Sequence, residues 1–245
     1  QKEKLASNGR VNRMVVGPIK RNSNPKIKPS LQGENLEDVF ENMSMDGVYR
    51  FGDAEPFSQL IIITSGSQVV AQLRSGYWTK PNVWEKTYLN LTDVKILDEK
   101  LSSKEYFGEF VFYEESGELI RGLRLENFPK KQNISIGKRI SSAKTFFEGN
   151  YPYSSIRLLS RLELQSMPSR NELKLMRNEI FARYGYKFEA NGRMEKHFTE
   201  EPWYLPEYED VTPFLTDIEV QNVNQIKNTE IEVLEAIEFL KSFSN

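Results

Sequence analysis

Between residues 46 and 128, short apolar runs follow one another with turn residues between them and no stretch long enough for a crossover helix. Parallel neighbours need a connection of roughly a dozen residues or more, so this spacing argues against a parallel sheet. Gly47-Val48-Tyr49-Arg50 opens the first strand. Leu60-Ile61-Ile62-Ile63 and Gln68–Leu73 read as a hairpin across Thr64–Ser67. Leu89, Leu91, Val94, Ile96 and Leu97 lie on one or two further strands. Phe107–Tyr113 sets Phe110 and Phe112 on one face, Val111 and Tyr113 on the other, and turns at Ser116-Gly117 into Glu118–Leu125. The pattern predicts an antiparallel meander curling into a small barrel or half-barrel.

The period changes after Pro129-Lys130-Lys131 and Glu148-Gly149-Asn150. Ser160-Arg161-Leu162-Glu163, Ser169-Arg170-Asn171-Glu172 and Thr216-Asp217-Ile218-Glu219 each have the spacing of a capping box ahead of an apolar-periodic stretch. Leu173, Met176, Ile180 and Tyr184 form one helical stripe, which Gly185 is placed to end in a left-handed cap. A last helix runs from about Asp217 toward Leu240, with a break expected near Asn228-Thr229. The fold class is therefore α+β, an N-terminal antiparallel β-meander or small barrel followed by an α-helical domain. The expected division is a flexible basic linker at 1–35, with a short helical piece following near Leu36, Val39 and Phe40. A β-rich domain at 36–128, a second linker at 129–150 and a helical domain at 151–245 complete it.

The helical part carries a specific string. Tyr151-Pro152-Tyr153-Ser154 leads to Leu158, then Leu173-Lys174-Leu175-Met176-Arg177-Asn178-Glu179-Ile180 and Phe181-Ala182-Arg183-Tyr184-Gly185-Tyr186-Lys187-Phe188. Phe198, Pro202-Trp203-Tyr204 and Asn222 through Ile226 complete it. On these residues, 151–228 resemble a YARHG domain, with Phe181 in place of the family's first Tyr and Tyr184 in place of its His. The resemblance implies a small helical domain of envelope-associated or secreted bacterial proteins, and implies location rather than a particular chemistry. A Tyr titrates near ~10, so Tyr184 is a poor general base at neutral pH and reads as structural.

Charge is unevenly spread. Lys2, Lys4, Arg10, Arg13, Lys20, Arg21, Lys26 and Lys28 face a single Glu3 in residues 1–30, although the whole chain is −2. This arm reads as a solvated tether, or as one attracted to an anionic envelope polymer or membrane surface. Its charges are not interleaved with aromatics, so no nucleic-acid partner is expected. The absence of cysteine excludes disulfides, thiol nucleophiles and thiolate metal sites. The chain begins at Gln1, as expected of a processed or trimmed form, and a lipid anchor removed with its segment would be its membrane anchor.

Two groups of side chains are candidates for binding. Arg177, Arg183, Tyr186 and Trp203 read either as an anion or saccharide site or as a buried network clamping the helix to the Trp203-Tyr204 loop. Asn178, Glu179, Tyr184 and Gly185 are read as that network's structural members, with Glu179 and Arg183 at i and i+4 for an ion pair. Tyr77, Trp78 and Trp84 flank Pro81 and read as an aromatic platform for sugar faces or a Pro-rich peptide, or as the closure of the barrel mouth. His197, the sole histidine, shares a short helix with Met194 and Phe198 and has neither a nucleophile elbow nor zinc-ligand spacing around it. Glu195, Glu200 and Glu201, or Glu109, Glu114 and Glu115, are the nearest carboxylate clusters. No catalytic residue, metal or cofactor is expected. The sequence reads as a non-catalytic binding or scaffolding module of the cell envelope, with peptidoglycan, another glycan or an envelope protein as partner. The alternatives are a carboxylate-dependent envelope hydrolase, a lipocalin-like carrier of a small apolar ligand, and an assembly module dimerising through helix 230–241.

Overall fold

The computed structural model describes residues 44–52, 57–81, 83–115, 118–126 and 136–243. The basic arm, the helical piece near Leu36, Val39 and Phe40, and the first part of the expected second linker lie outside the described residues.

Nine strands form one antiparallel sheet: β1 (Gly47–Phe51), β2 (Ser58–Ser65), β3 (Gln68–Lys80), β4 (Val83–Asn90), β5 (Lys95–Leu97), β6 (Lys100–Ser102), β7 (Phe107–Glu115), β8 (Glu118–Leu125) and β9 (Ile136–Ser141). Their order is β4-β3-β2-β1-β9-β8-β7-β6-β5. The chain passes from one edge to the other through residues 91–94. There Leu91 N donates to Ala71 O at 2.8 Å, and Thr92 O accepts from Lys104 N at 2.9 Å. That short passage curls the sheet into a half-barrel. The hairpin turn falls at Gly66-Ser67, within the segment the sequence marks. One element of the expected linker is structural: residues 136–141 are β9, paired with both β1 and β8.

The concave face is filled. Tyr49, Phe51, Leu60, Ile62, Leu73, Leu101, Phe110, Leu123 and Leu125 are buried in one cluster. Tyr49 on β1 meets Phe110 on β7 edge-on, ring centroids 5.7 Å apart, across the interior rather than along the sheet. A small half-barrel packed through its middle in this way argues against a carrier's apolar cavity. On the convex face Val48, Ile61, Ile63 and Val70 pack against Ala143, Phe147 and Ile218. Coverage on both faces explains why Leu60-Ile61-Ile62-Ile63 is a continuous apolar run rather than an alternating one.

The covering layer is helical. It comprises 3-10 turns at Ala143–Thr145, Pro152–Ser155 and Thr212–Phe214, and helices α1 (Arg161–Gln165), α2 (Arg170–Ala182), α3 (Arg193–Phe198) and α4 (Asp217–Ser242). Ser160 and Thr216 head complete capping boxes with Glu163 and Glu219. Ser169 makes half of one: its hydroxyl accepts from Glu172 N, while the Glu172 carboxylate accepts from the Tyr151 hydroxyl instead of returning to the cap. The expected break in the last helix is absent. α4 continues through Asn228-Thr229, where Thr229 Oγ1 donates back to Gln225 O at 3.0 Å, the bond by which a mid-helix Thr is accommodated. Leu173, Met176, Ile180 and Tyr184 are all buried, together with Val211, Leu215 and Ile226.

Candidate functional site

The helical motif is organised around one ion pair. Glu179 and Arg183, one turn apart on and just beyond α2, have side chains only 2% and 3% exposed and are directly bonded. Gly149 stands at φ +105°, and a Cβ there would lie 2.3 Å from Glu179 Cδ. That close passage lets Asn150 N and Tyr151 N each donate to a Glu179 oxygen at 2.7 Å. Arg183 donates to Glu148 O at 2.8 Å and to Ser155 Oγ at 2.7 Å. Burial pushes the Glu179 carboxyl up and the Arg183 guanidinium down, each opposed by the partner's charge. The network therefore clamps α2 to residues 148–155, not to the Trp203-Tyr204 loop as the sequence reading had it. That loop is tied separately, through Tyr204 Oη to Tyr186 O at 2.7 Å.

Tyr184, at the family's His position, joins the two layers. Its hydroxyl donates to Glu219 Oε2 at 2.8 Å, accepts from Arg74 Nη2 at 3.2 Å, and lies 3.2 Å from Gln72 Oε1. Gln72 Nε2 in turn donates to Phe214 O at 2.6 Å. Tyr88 of β4 packs edge-on against the Tyr184 ring, centroids 5.1 Å apart. Burial drives the phenol's pKa far up, so the group stays protonated and acts as a hydrogen-bonding pivot. Gln72 and Arg74, polar residues beside apolar positions in β3, are the members that sequence reasoning missed. Asn178 bonds within its own helix, its Nδ2 donating to Lys174 O at 2.8 Å, and Gly185 takes the expected left-handed φ of +77°.

The four residues grouped as a ligand site are not brought together. Arg183 is consumed in the buried pair. Arg177 is held by Glu230, Nε to Oε1 at 2.7 Å, and shares with Tyr186 an open cleft of about 280 Å³ that is also lined by Phe181, Glu209 and Asp210. Trp203 sits elsewhere, edge-on to Phe198 with its Nε1 on Glu201 Oε2 at 3.1 Å.

Trp78 and Trp84 are brought together on one face of a β-ribbon, while Tyr77, paired with Glu85, lies on the other face. β3 pairs with β2 only through Arg74, and from Ser75 onward it pairs with β4 alone. Trp78 is directly opposite Trp84, ring centroids 5.0 Å apart at 68°. The Trp84 ring lies over Gly76, where a Cβ would come within 2.3 Å of it, so the missing side chain makes the seat for the indole. Trp78 is 53% exposed and Tyr77 50%, and neither belongs to the half-barrel core. The aromatics therefore do not close the barrel mouth. The ribbon's root is fixed on the helical layer by Lys86 to Glu207 at 2.7 Å and by Tyr88 stacked on Phe214 at 4.7 Å.

The carboxylate clusters are occupied individually. Glu195 caps Asn191 N at 2.7 Å, Glu201 takes the Trp203 indole, and Glu109 lies 3.7 Å from Arg124. The side chains of Glu114 and Glu115 lie outside the described residues. His197 packs edge-on to Phe198. Among the described residues no group of three or more His, Cys, Asp or Glu is arranged to hold a metal ion, and no helix is long and apolar enough to cross a membrane.

No curated protein and no solved structure matches the chain. A family model does match over residues 150–231, the span that holds the Glu179–Arg183 pair and Tyr184, and this part of the chain is a YARHG domain.

Proposed function

We propose that the protein is a non-catalytic binding module of the cell envelope that grips a glycan, peptidoglycan in the first instance, through the aromatic ribbon. The observation that carries this reading is the Trp78–Trp84 pair. Leaving half of Trp78 exposed beside Trp84 forgoes burial that the indole would gain in a core. Trp84 is seated on Gly76 and Trp78 packs edge-on against it, so little side-chain freedom of this pair remains to be lost on binding. The distinctive polar residues of the YARHG domain support the same reading from the other side. Glu179, Arg183 and Tyr184 are engaged in fastening that domain to itself and to the sheet, so they are not the groups offered to a partner.

The test is co-sedimentation of the full chain with purified peptidoglycan as salt is raised. At about 1 M salt the screening length falls to about 3 Å, which suppresses attraction by a basic arm. Retention is expected to persist there, and Trp78→Ala is expected to weaken it roughly tenfold, about 1.4 kcal/mol. Glycan chain length should be unchanged after incubation. Retention that vanishes with salt and is indifferent to Trp78→Ala would assign binding to the arm and remove the ribbon from the account.

A further inference from the structure

The concave face of the half-barrel is apolar along most of its length and basic at one end. Inward positions of β8 run Arg121, Leu123 and Leu125, and those of β9 include Gly137 and Arg139. Since Leu123 pairs with Gly137 and Gly122 with Lys138, the register sets Arg121 opposite Arg139. Tyr49 faces Arg139 from β1, and Arg121 covers the Phe112 ring at 4.5 Å from β7.

Like charges directly opposite on neighbouring strands repel, and burial removes the water that would screen them. Arg121 is 6% exposed. Its Nε and Nη1, and Nη2 of Arg139, are buried without a hydrogen-bond partner among the described residues. Burial also holds the Arg121 guanidinium below its ordinary range. The neighbouring acids, Asp46 toward Arg139 and Glu99 toward Arg121, attract the two guanidiniums without hydrogen-bonding their unpartnered nitrogens. Asp46 gives its backbone carbonyl to Arg139 Nε at 3.0 Å while its carboxylate accepts from Thr64. Glu99, on the turn between β5 and β6, acts on Arg121 only from beyond ion-pair distance among the described contacts. A buried charge without a partner is strongly unfavourable, and an inward Leu would continue the pattern of β8 without that penalty.

We infer that this end of the half-barrel is an anion site in which Arg121 and Arg139 hold a small oxyanion, the carboxylate or phosphate group of a ligand. Tyr49, Leu101, Phe110 and Leu123 fill the interior below, so the charged group enters and the rest of the ligand remains outside. The site is on β8 and β9, at the end of the sheet where Asp46 contacts Arg139 and Thr64, whereas the aromatic ribbon is the far part of β3 with β4, so it does not rest on the glycan reading.

The experiment is thermal unfolding of the full chain in chloride, with phosphate or acetate added at matched ionic strength. A ligand of the folded state raises the midpoint with its concentration. The wild type is expected to gain several degrees in at least one of these anions, with phosphate and acetate separating the two chemistries. Arg121→Met and Arg139→Met should lose that gain, and Arg121→Met should be no less stable than wild type in chloride. An equal rise in wild type and variants would be a general salt effect and would sink the site. Should the variants not fold, the Arg121 Nε–Hε resonance of the wild type decides: a saturable shift with phosphate or acetate supports the site, and an unmoved resonance overturns it. Glu99, whose charge acts on Arg121 from the β5–β6 turn, supplies the remaining arm. If Glu99→Gln destabilises the wild type in chloride but leaves Arg121→Met unaffected, the chain supplies its own anion and the inference fails.

Discussion

At the scale of single residues, Glu179 carries the strongest consequence. Its carboxylate is the acceptor for Asn150 N, Tyr151 N and Arg183, all at the foot of the YARHG domain. Glu179→Gln leaves the Arg183 side chain buried without its countercharge and puts an amide where two N–H donors converge. Breaking one partner of a buried pair costs about 3–5 kcal/mol, so the urea midpoint should fall sharply with little change in slope. Glu179→Met with Arg183→Met should recover part of that loss, because no buried charge then remains, whereas two independent sites would simply add. A double variant as unstable as the sum of the singles would count against the pair as a unit. The i and i+4 spacing made the pair legible in the sequence. Its destination was not, since the 148–155 segment lies about thirty residues away along the chain and only the tertiary fold brings Gly149 over the carboxylate.

At the scale of elements, helix starts were legible and one strand was not. Cap residues act through bonds three positions away, so Ser160-x-x-Glu163 and Thr216-x-x-Glu219 announce themselves locally. Ser169 looked the same, yet Glu172 was claimed by Tyr151 from outside the motif. β9 was read as linker because its inward positions are Gly137 and Arg139, which break the apolar alternation that marks a strand. The glycine has a packing cause. A Cβ on it would lie 2.5 Å from Phe51 Cζ, so the ring of β1 occupies the space a side chain of β9 would take. Gly137→Ala is therefore expected to destabilise the fold by about 1–3 kcal/mol through overpacking. Phe51→Leu in the same chain should relieve some of that penalty, read from the unfolding midpoints of the singles and the double. A neutral Gly137→Ala would mean that β9 shifts freely, against its pairing with two strands.

At the scale of the whole molecule, the question is whether sheet and helical layer fold as one. The change of period near residue 150 suggested separate units, and the aromatic, apolar and polar contacts that join them are invisible to periodicity because they link residues more than a hundred positions apart. Ile218, at the start of α4, is fully buried against Val48, Ile61, Ile63 and Val70 of the sheet. A few positions back in the chain, Phe214 O and Leu215 O accept from Gln72 and Asn90 at 2.6 and 2.8 Å. The apolar seam and the polar seam thus share one stretch of backbone. Ile218→Ala removes buried volume from that seam and should cost about 2–5 kcal/mol. If the two layers are one cooperative unit, the loss appears at amides on both sides: hydrogen exchange of Ile61–Ile63 in β2 and of Met176–Ile180 in α2 should accelerate by the same factor, because both exchange through the same global opening. Acceleration confined to α2 would show the helical layer opening from a sheet that stands alone. The far end of α4 provides the internal control. Phe239, Leu240 and Phe243 are exposed beyond the YARHG domain, so amides there exchange by local fraying and should not respond to Ile218→Ala at all.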